Sequence, residues 1–189
     1  MYLTKNILYH GTIKPHDIID LSKCKKFGDF GAGYYLTTLY KQAFNWGKNK
    51  SHGKCDYYIY QYKFQLPLTD NIKELSLLTY NKEWLDIIAY CRTYGTIPED
   101  IKKINNIRNP DDYDIVYDRM ADNIGSEISN CVSQYIKKEI SVNKILPIIS
   151  KEWAQPRDQY CFKTSKAISL LKREQTLAFD KNNKLKYRD

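Results

Sequence analysis

Motifs that build metal sites or disulfide frameworks are missing from this 189-residue chain. Its five cysteines, Cys24, Cys55, Cys91, Cys131 and Cys161, are odd in number, widely spaced and never arranged as Cys-x-x-Cys. That spacing argues against zinc and against a disulfide scaffold, so reduced thiols in a cytoplasm are expected and no metal is. No apolar run approaches the roughly 18 residues of a membrane span, and no membrane partner is expected. Residues 1–10 lack a charged segment followed by a long apolar one, the mark of a secretory leader. Histidine is scarce, with only His10, His16 and His52 to share any acid–base chemistry. Internal repeats and low-complexity linkers are absent too. One domain over 1–189, with a helical excursion at about 80–150, is the simplest organisation.

What is present supports a packed core: 42% of residues are hydrophobic and 14% aromatic. Thirty Lys and Arg against 22 Asp and Glu leave a net charge of +8. That balance favours an anionic ligand or a nucleic-acid acceptor. A plainer reading is biased coding composition, because the lysines are mostly scattered.

The chain is organised around Asp29-Phe-Gly-Ala-Gly-Tyr-Tyr-Leu-Thr-Thr-Leu-Tyr-Lys-Gln-Ala-Phe-Asn-Trp46. Gly31 and Gly33 allow a sharp turn or a close ligand approach. Tyr34 to Leu36 is short and aromatic, as a strand is. Thr37 and Thr38 offer capping oxygens to a helix whose Leu39, Ala43 and Trp46 share one face. Alternation along the strand sends one of Tyr34 and Tyr35 into the core and the other away.

Around this unit, Asn6 to Gly11 reads as a strand, and Cys55 to Leu66 as a half-buried strand of alternating aromatics that Pro67 ends. Leu75 to Leu78, Asp114 to Tyr117 and Arg157 to Thr164 are further strands. Lys82 to Tyr94 has helical spacing, and Thr96 to Pro110 reads as an exposed excursion. Asp122 is a candidate cap for a helix through Ile136, and Ser141 for one that Pro147 would kink or divide. Ser165 is a candidate cap for Lys166 to Leu171, and Leu177 to Phe179 an edge strand before a polar tail. Without regular βαβ alternation, the fold class is α+β with a mostly antiparallel sheet.

Three pieces could form a site, and each has a plain alternative. The His10-Gly11 pair at a strand end offers an imidazole and an unobstructed backbone, yet such pairs are commonly turns. Adjacent tyrosines are commonly core packing. Gln159, on one strand face with Cys161, would by itself be a solvent-facing polar residue.

In order, Tyr9-His10-Gly11-Thr12, then Gly33-Tyr34-Tyr35-Leu36-Thr37 with an aromatic eleven residues after Tyr35, then Asp158-Gln159-Tyr160-Cys161-Phe162 resemble the signature segments of the ADP-ribosyltransferase superfamily. The resemblance is to its diphtheria-toxin and poly(ADP-ribose) polymerase branch. A bacterial family of unknown function is closer still, through Ile19-Asp-Leu-Ser22, Gln42-Ala43, Asp112-Tyr-Asp-Ile-Val116 and Ala121-Asp122 as well. The resemblance implies a split, mostly antiparallel sheet with peripheral helices, and NAD as cofactor. It implies that His10 holds the adenine-side ribose and Gly11 the nicotinamide amide. Tyr35 would stack on nicotinamide, with Trp46 or Phe44 as the second aromatic wall. Thr12, Gly33 and Asp122 would complete the cofactor set, and Arg157 is a candidate for the pyrophosphate.

Where that branch carries a catalytic glutamate, this chain has Gln159. An amide accepts a hydrogen bond but bears no full charge and cannot act as a general base. Single transfer is thereby favoured over chain building. The resemblance implies a mono-ADP-ribosyltransferase acting on a nucleic acid or protein, of the kind used as toxins in toxin–antitoxin or phage-defence systems, with a neutralising antitoxin partner. Two alternatives stay open: a degenerate NAD- or ADP-ribose-binding module, and a basic RNA-binding or RNA-cleaving domain with His10 as general base.

Overall fold

Aromatic side chains buried on both faces of one strand organise the molecule. The computed structural model describes residues 6–65, 71–119, 127–151 and 157–189. In β3 (Tyr57–Phe64), Tyr57 and Ile59 point to one side while Tyr60, Tyr62 and Phe64 point to the other, and all are buried. The strand is therefore not half-buried as its alternation suggests, because two different layers cover it. It pairs antiparallel with β1 (Ile7–Thr12) and with β7 (Leu171–Phe179), which in turn pairs with β8 (Leu185–Arg188).

A second four-stranded sheet runs in the order β2 (Tyr34–Leu36), β6 (Asp158–Phe162), β5 (Ile115–Arg119) and β4 (Glu74–Leu77), with β4 and β5 parallel and the other neighbours antiparallel. The fold is thus α+β, with two mostly antiparallel sheets and several helices. Leu8, Tyr60, Tyr62 and Phe64 of the first sheet share a core with Tyr34, Leu36, Ile115, Tyr160 and Phe162 of the second. The sheets are stitched where Tyr9 and Thr37 exchange backbone hydrogen bonds of 2.7 and 2.9 Å. That stitch brings His10 to β2.

Helix α1 (Tyr40–Ser51) covers the outer face of the first sheet, where Ala43 packs with Tyr57, Ile59, Leu177 and Phe179. The outer face of the second sheet is covered by α2 (Lys82–Tyr94), α4 (Glu127–Ile136) and α5 (Val142–Lys151). Between α2 and β5 lies α3 (Glu99–Asn105). Asn81 caps α2 by accepting from the Trp84 amide at 2.9 Å, and Gly95 ends it at a φ of 82°. Pro147 does not divide α5, whose Ile145 and Ile149 are fully buried in the core. No helix among the described residues is long and apolar enough to cross a membrane.

Several local expectations give way to tertiary contacts. Thr37 and Thr38 do not cap α1; their hydroxyls donate to the Asp158 carboxylate at 2.6 and 2.5 Å, and Leu39 begins the helix without a side-chain cap. An ionised acceptor attracts these hydroxyls more strongly than a helix end does. Thr164, not Ser165, caps α6 (Ser165–Ile168), accepting from the Ala167 amide at 3.2 Å. Leu177 to Phe179 is no edge strand, since β7 lies between β3 and β8 and the polar tail supplies the edge. The segment from Thr96 to Pro110 is anchored by buried Ile97 and Ile107 and contains α3, so it is not simply an exposed excursion. Asp122 and Pro67 lie outside the described residues.

Candidate functional site

A cavity of about 1420 Å³ opens where the two sheets meet α1 and the loop after β1. His10, Gly11, Thr12, Gly33, Tyr35, Trp46 and Gln159 all line it. Residues separated by up to about 150 positions thus converge. Phe44 does not join them: it packs edge-on against Tyr57 and Phe179 at 5.6 and 5.1 Å, in the core beneath α1. Phe44 and Trp46 are two residues apart on a helix, so they face different ways. Trp46 stays half-buried at the cavity, with the Lys50 ammonium 4.8 Å from its ring centroid. Arg157 is not among the residues lining the cavity.

Two of the predicted glycines answer first to packing. A Cβ on Gly11 would lie 2.0 Å from the Ala43 carbonyl oxygen, so only glycine lets α1 seat on β1. A Cβ on Gly33 would lie 2.3 Å from the Cys161 sulfur. Thr12 shapes the turn after β1, its hydroxyl accepting from the Lys14 amide at 3.1 Å.

One wall of the cavity is neutral. The His10 Nδ1 donates to the Tyr35 carbonyl at 2.7 Å, which leaves Nε2 as a bare acceptor. Burial lowers the His10 pKa to about 4, so the ring is uncharged near neutrality. Its ring stacks on Tyr34 at 4.3 Å. The Tyr34 hydroxyl in turn donates to His16 Nε2 at 3.0 Å and accepts from Tyr62 at 3.0 Å. This direction follows because His16 Nδ1 lies 3.3 Å from the Lys14 carbonyl and must donate there. Burial lowers the His16 pKa as well. Arg173 fixes the loop, donating to the carbonyls of His16 and Asp17.

A second part of the lining is held by charged side chains. Gln159 Nε2 donates to Asp29 Oδ2 at 3.0 Å, and Arg92 Nε donates to Asp29 Oδ1 at 2.7 Å. Asp29 also lines the cavity. Lys163, almost fully buried, donates to the carbonyls of Phe30 and Ala32 at 2.6 and 2.7 Å and pairs with Asp111 at 2.9 Å, holding the glycine loop. Tyr35 does not end in free solvent. Its hydroxyl donates to the Gly31 carbonyl at 2.8 Å and accepts from the Phe30 amide at 3.0 Å. Burial raises its pKa well above the ordinary phenol value. Both tyrosines of the pair are therefore packed, Tyr34 between the sheets and Tyr35 toward the helical side.

Asp158, next to Gln159, faces away from it into the Thr37–Thr38 turn. Gln42 Nε2 donates to the Asp158 carbonyl at 2.6 Å, so the amide orientation is set, and its buried Oε1 has no partner among the described residues. Gln42 lines the cavity, and this orphan acceptor is directed to no protein group there. Sequence reasoning missed Asp29, Arg92 and His16 as members of the site. Asp29 had a visible signal, a carboxylate two residues before Gly31 in the glycine loop.

Residues 6–173 match the family described as "Protein of unknown function (DUF3990)", and the chain belongs to that family. No curated protein and no solved structure matches it.

Proposed function

We propose that this chain is an NAD-dependent mono-ADP-ribosyltransferase with an ADP-ribosyltransferase-like fold. The observation that carries this reading is the convergence of the His10, Tyr35 and Gln159 segments on one cavity, with the His10 imidazole bonded to the Tyr35 backbone. The residues present fit a dinucleotide. The cavity exceeds the roughly 300–1,000 Å³ of an ordinary small-ligand pocket, as an extended ligand requires. Gln42 Oε1 is a buried acceptor suited to an amide or hydroxyl donor of the ligand, and Lys14, Lys25 and Lys50 at its walls suit a pyrophosphate. His10 Nε2 would accept from a ribose hydroxyl, and Tyr35 with Trp46 would flank the nicotinamide.

Bound NAD would supply a pyridinium leaving group, which departs as neutral nicotinamide when the glycosidic bond breaks and its electron pair passes to the ring nitrogen. The protein's part is to clamp the ring and ribose in a reactive geometry and to place negative dipoles against the developing positive charge. No proton donor for the leaving group is needed. The acceptor would be a nucleic acid or a protein. A toxin of a toxin–antitoxin or phage-defence system, neutralised by a partner protein in the cytoplasm, is the setting the resemblance supplies.

The His10–His16 pair, ring centroids 5.9 Å apart, is the observation that favours the second reading, an RNA-cleaving domain. Against it, burial lowers the His10 pKa to about 4, so His10 holds no proton for a departing alkoxide near neutrality.

The test is NAD binding by calorimetry together with nicotinamide release. Wild-type protein is expected to do both, and His10→Ala to raise the KM for NAD about tenfold through the lost hydrogen bond. Wild-type protein that neither binds nor cleaves NAD, or that degrades RNA without it, overturns the reading.

A further inference from the structure

We infer that Asp29 is a catalytic residue, its carboxylate serving as the negative charge that Gln159 cannot provide. This rests on the transferase reading. Asp29 Oδ2 lies 3.0 Å from Gln159 Nε2, so the two side chains form one hydrogen-bonded unit at the cavity wall. A carboxylate can only accept, which means the Gln159 amide points its N–H₂ at Asp29 and keeps Oε1 for another partner. Arg92 takes the other Asp29 oxygen at 2.7 Å. The carboxylate is thereby oriented and nearly enclosed, at 12% exposure, without being swallowed by the core.

Such a group acts by electrostatics. When the glycosidic bond breaks, nicotinamide takes the electron pair and the ribose carbon becomes electron-deficient. A carboxylate oxygen fixed beside it lowers the energy of that charge. The oxygen or nitrogen of the acceptor, or water itself, then gives its own electron pair to the same carbon, and its proton passes to solvent water. Bonds and charges balance with no further reagent. The ion pair with Arg92 weakens the field of Asp29 but prevents its reorientation toward bulk water. The pair Asp29–Gln159 thus divides between two side chains what a single glutamate would do, one supplying charge and the other an aimed acceptor.

The division can be tested by exchanging the two groups. Asp29→Asn retains an acceptor for Arg92 but removes the charge. It is expected to slow nicotinamide release about 100-fold while leaving the Kd for NAD within about threefold. In the double variant Asp29→Asn with Gln159→Glu, carboxylate and amide trade places, and release is expected to recover to within about tenfold of wild type. Gln159→Glu alone sets two carboxylates at hydrogen-bond distance, where they share a proton until the pH rises, so the added charge comes late and the rate optimum moves to higher pH. An Asp29→Asn variant as fast as wild type overturns the inference. So does a double variant that binds NAD with wild-type affinity yet is no faster than Asp29→Asn. Should Asp29→Asn fail to fold, Gln159→Glu decides: an unshifted or acid-shifted pH profile overturns the inference, a shift to higher pH supports it. Wild-type protein without NAD binding or cleavage removes the transferase reading itself, a result distinct from active wild type with an indifferent Asp29.

Discussion

Two regions around the cleft are held together by different kinds of contact. In one, the His10 ring stacks on Tyr34, whose hydroxyl joins His16 and Tyr62 by hydrogen bonds of 3.0 Å. In the other, the carboxylates of Asp29 and Asp158 and the Arg92 guanidinium, the last two behind the lining, fasten the glycine loop and the turn into α1. Neutral partners hold a geometry without adding a field, which suits a surface that recognises hydroxyls. Charged partners hold a geometry and project a field, which suits a surface where charge develops. A cleft with one region of each kind can bind with one and stabilise a cation with the other.

The comparison breaks first at Asp158. Its carboxylate accepts from Thr37 Oγ1, the Thr38 amide and Thr38 Oγ1 at 2.5 to 2.9 Å. Asp158→Ala is expected to lower stability by about 3 kcal/mol, because charge-assisted bonds are lost and donors are left unpaired. Urea unfolding measures this; a loss under about 1 kcal/mol would mean water replaces the carboxylate without cost.

Acid should separate the walls next. The His10 pKa is about 4 in the folded protein against 6.5 for the free side chain. A folded-state pKa below the unfolded value means the unfolded chain binds the proton more readily, so stability present above pH 6.5 is lost as pH falls toward 4. Between pH 7 and 5 the loss from His10 is about 2 kcal/mol. His16, lowered in the same direction, adds to it. Unfolding midpoints at pH 7 and 5 should differ less in His10→Gln than in wild type. Equal pH dependence in both would show that His10 is not held neutral by the fold.

The smallest effect sharpens the neutral wall. Tyr34→Phe removes the hydroxyl between Tyr62 and His16 while leaving the ring on His10. A loss of about 1 kcal/mol in unfolding free energy is expected. No change would mean that the contacts of His16 with Lys14, Tyr60 and Arg173 hold it without the Tyr34 hydroxyl.

Much of the fold was legible where neighbours decide. The alternating aromatics of β3, the span of α2 from Lys82 to Tyr94, and the short strand at Tyr34 to Leu36 all follow from local spacing. The three site segments were legible too, although the sequence did not tell Phe44 from Trp46, because both lie on one short helix and only the packing of α1 separates them. Capping was misread at Thr37 and Thr38 because their acceptor is 120 residues away in sequence. The same blindness hid Asp29, whose partner Gln159 is 130 residues distant.

Sequence by itself determined most strands and helices and the order of the segments that build the cleft, since periodicity and turn residues act over a few positions; α3, the full length of β7 and the β8 edge were not legible. Tertiary structure decided which carboxylate faces the cleft. A polar group chooses its partner by proximity after the sheets close, and Asp158 turned to the threonines while Asp29 turned to Gln159. The free energy of burying a charged oxygen depends on everything packed around it, not on its place in the chain.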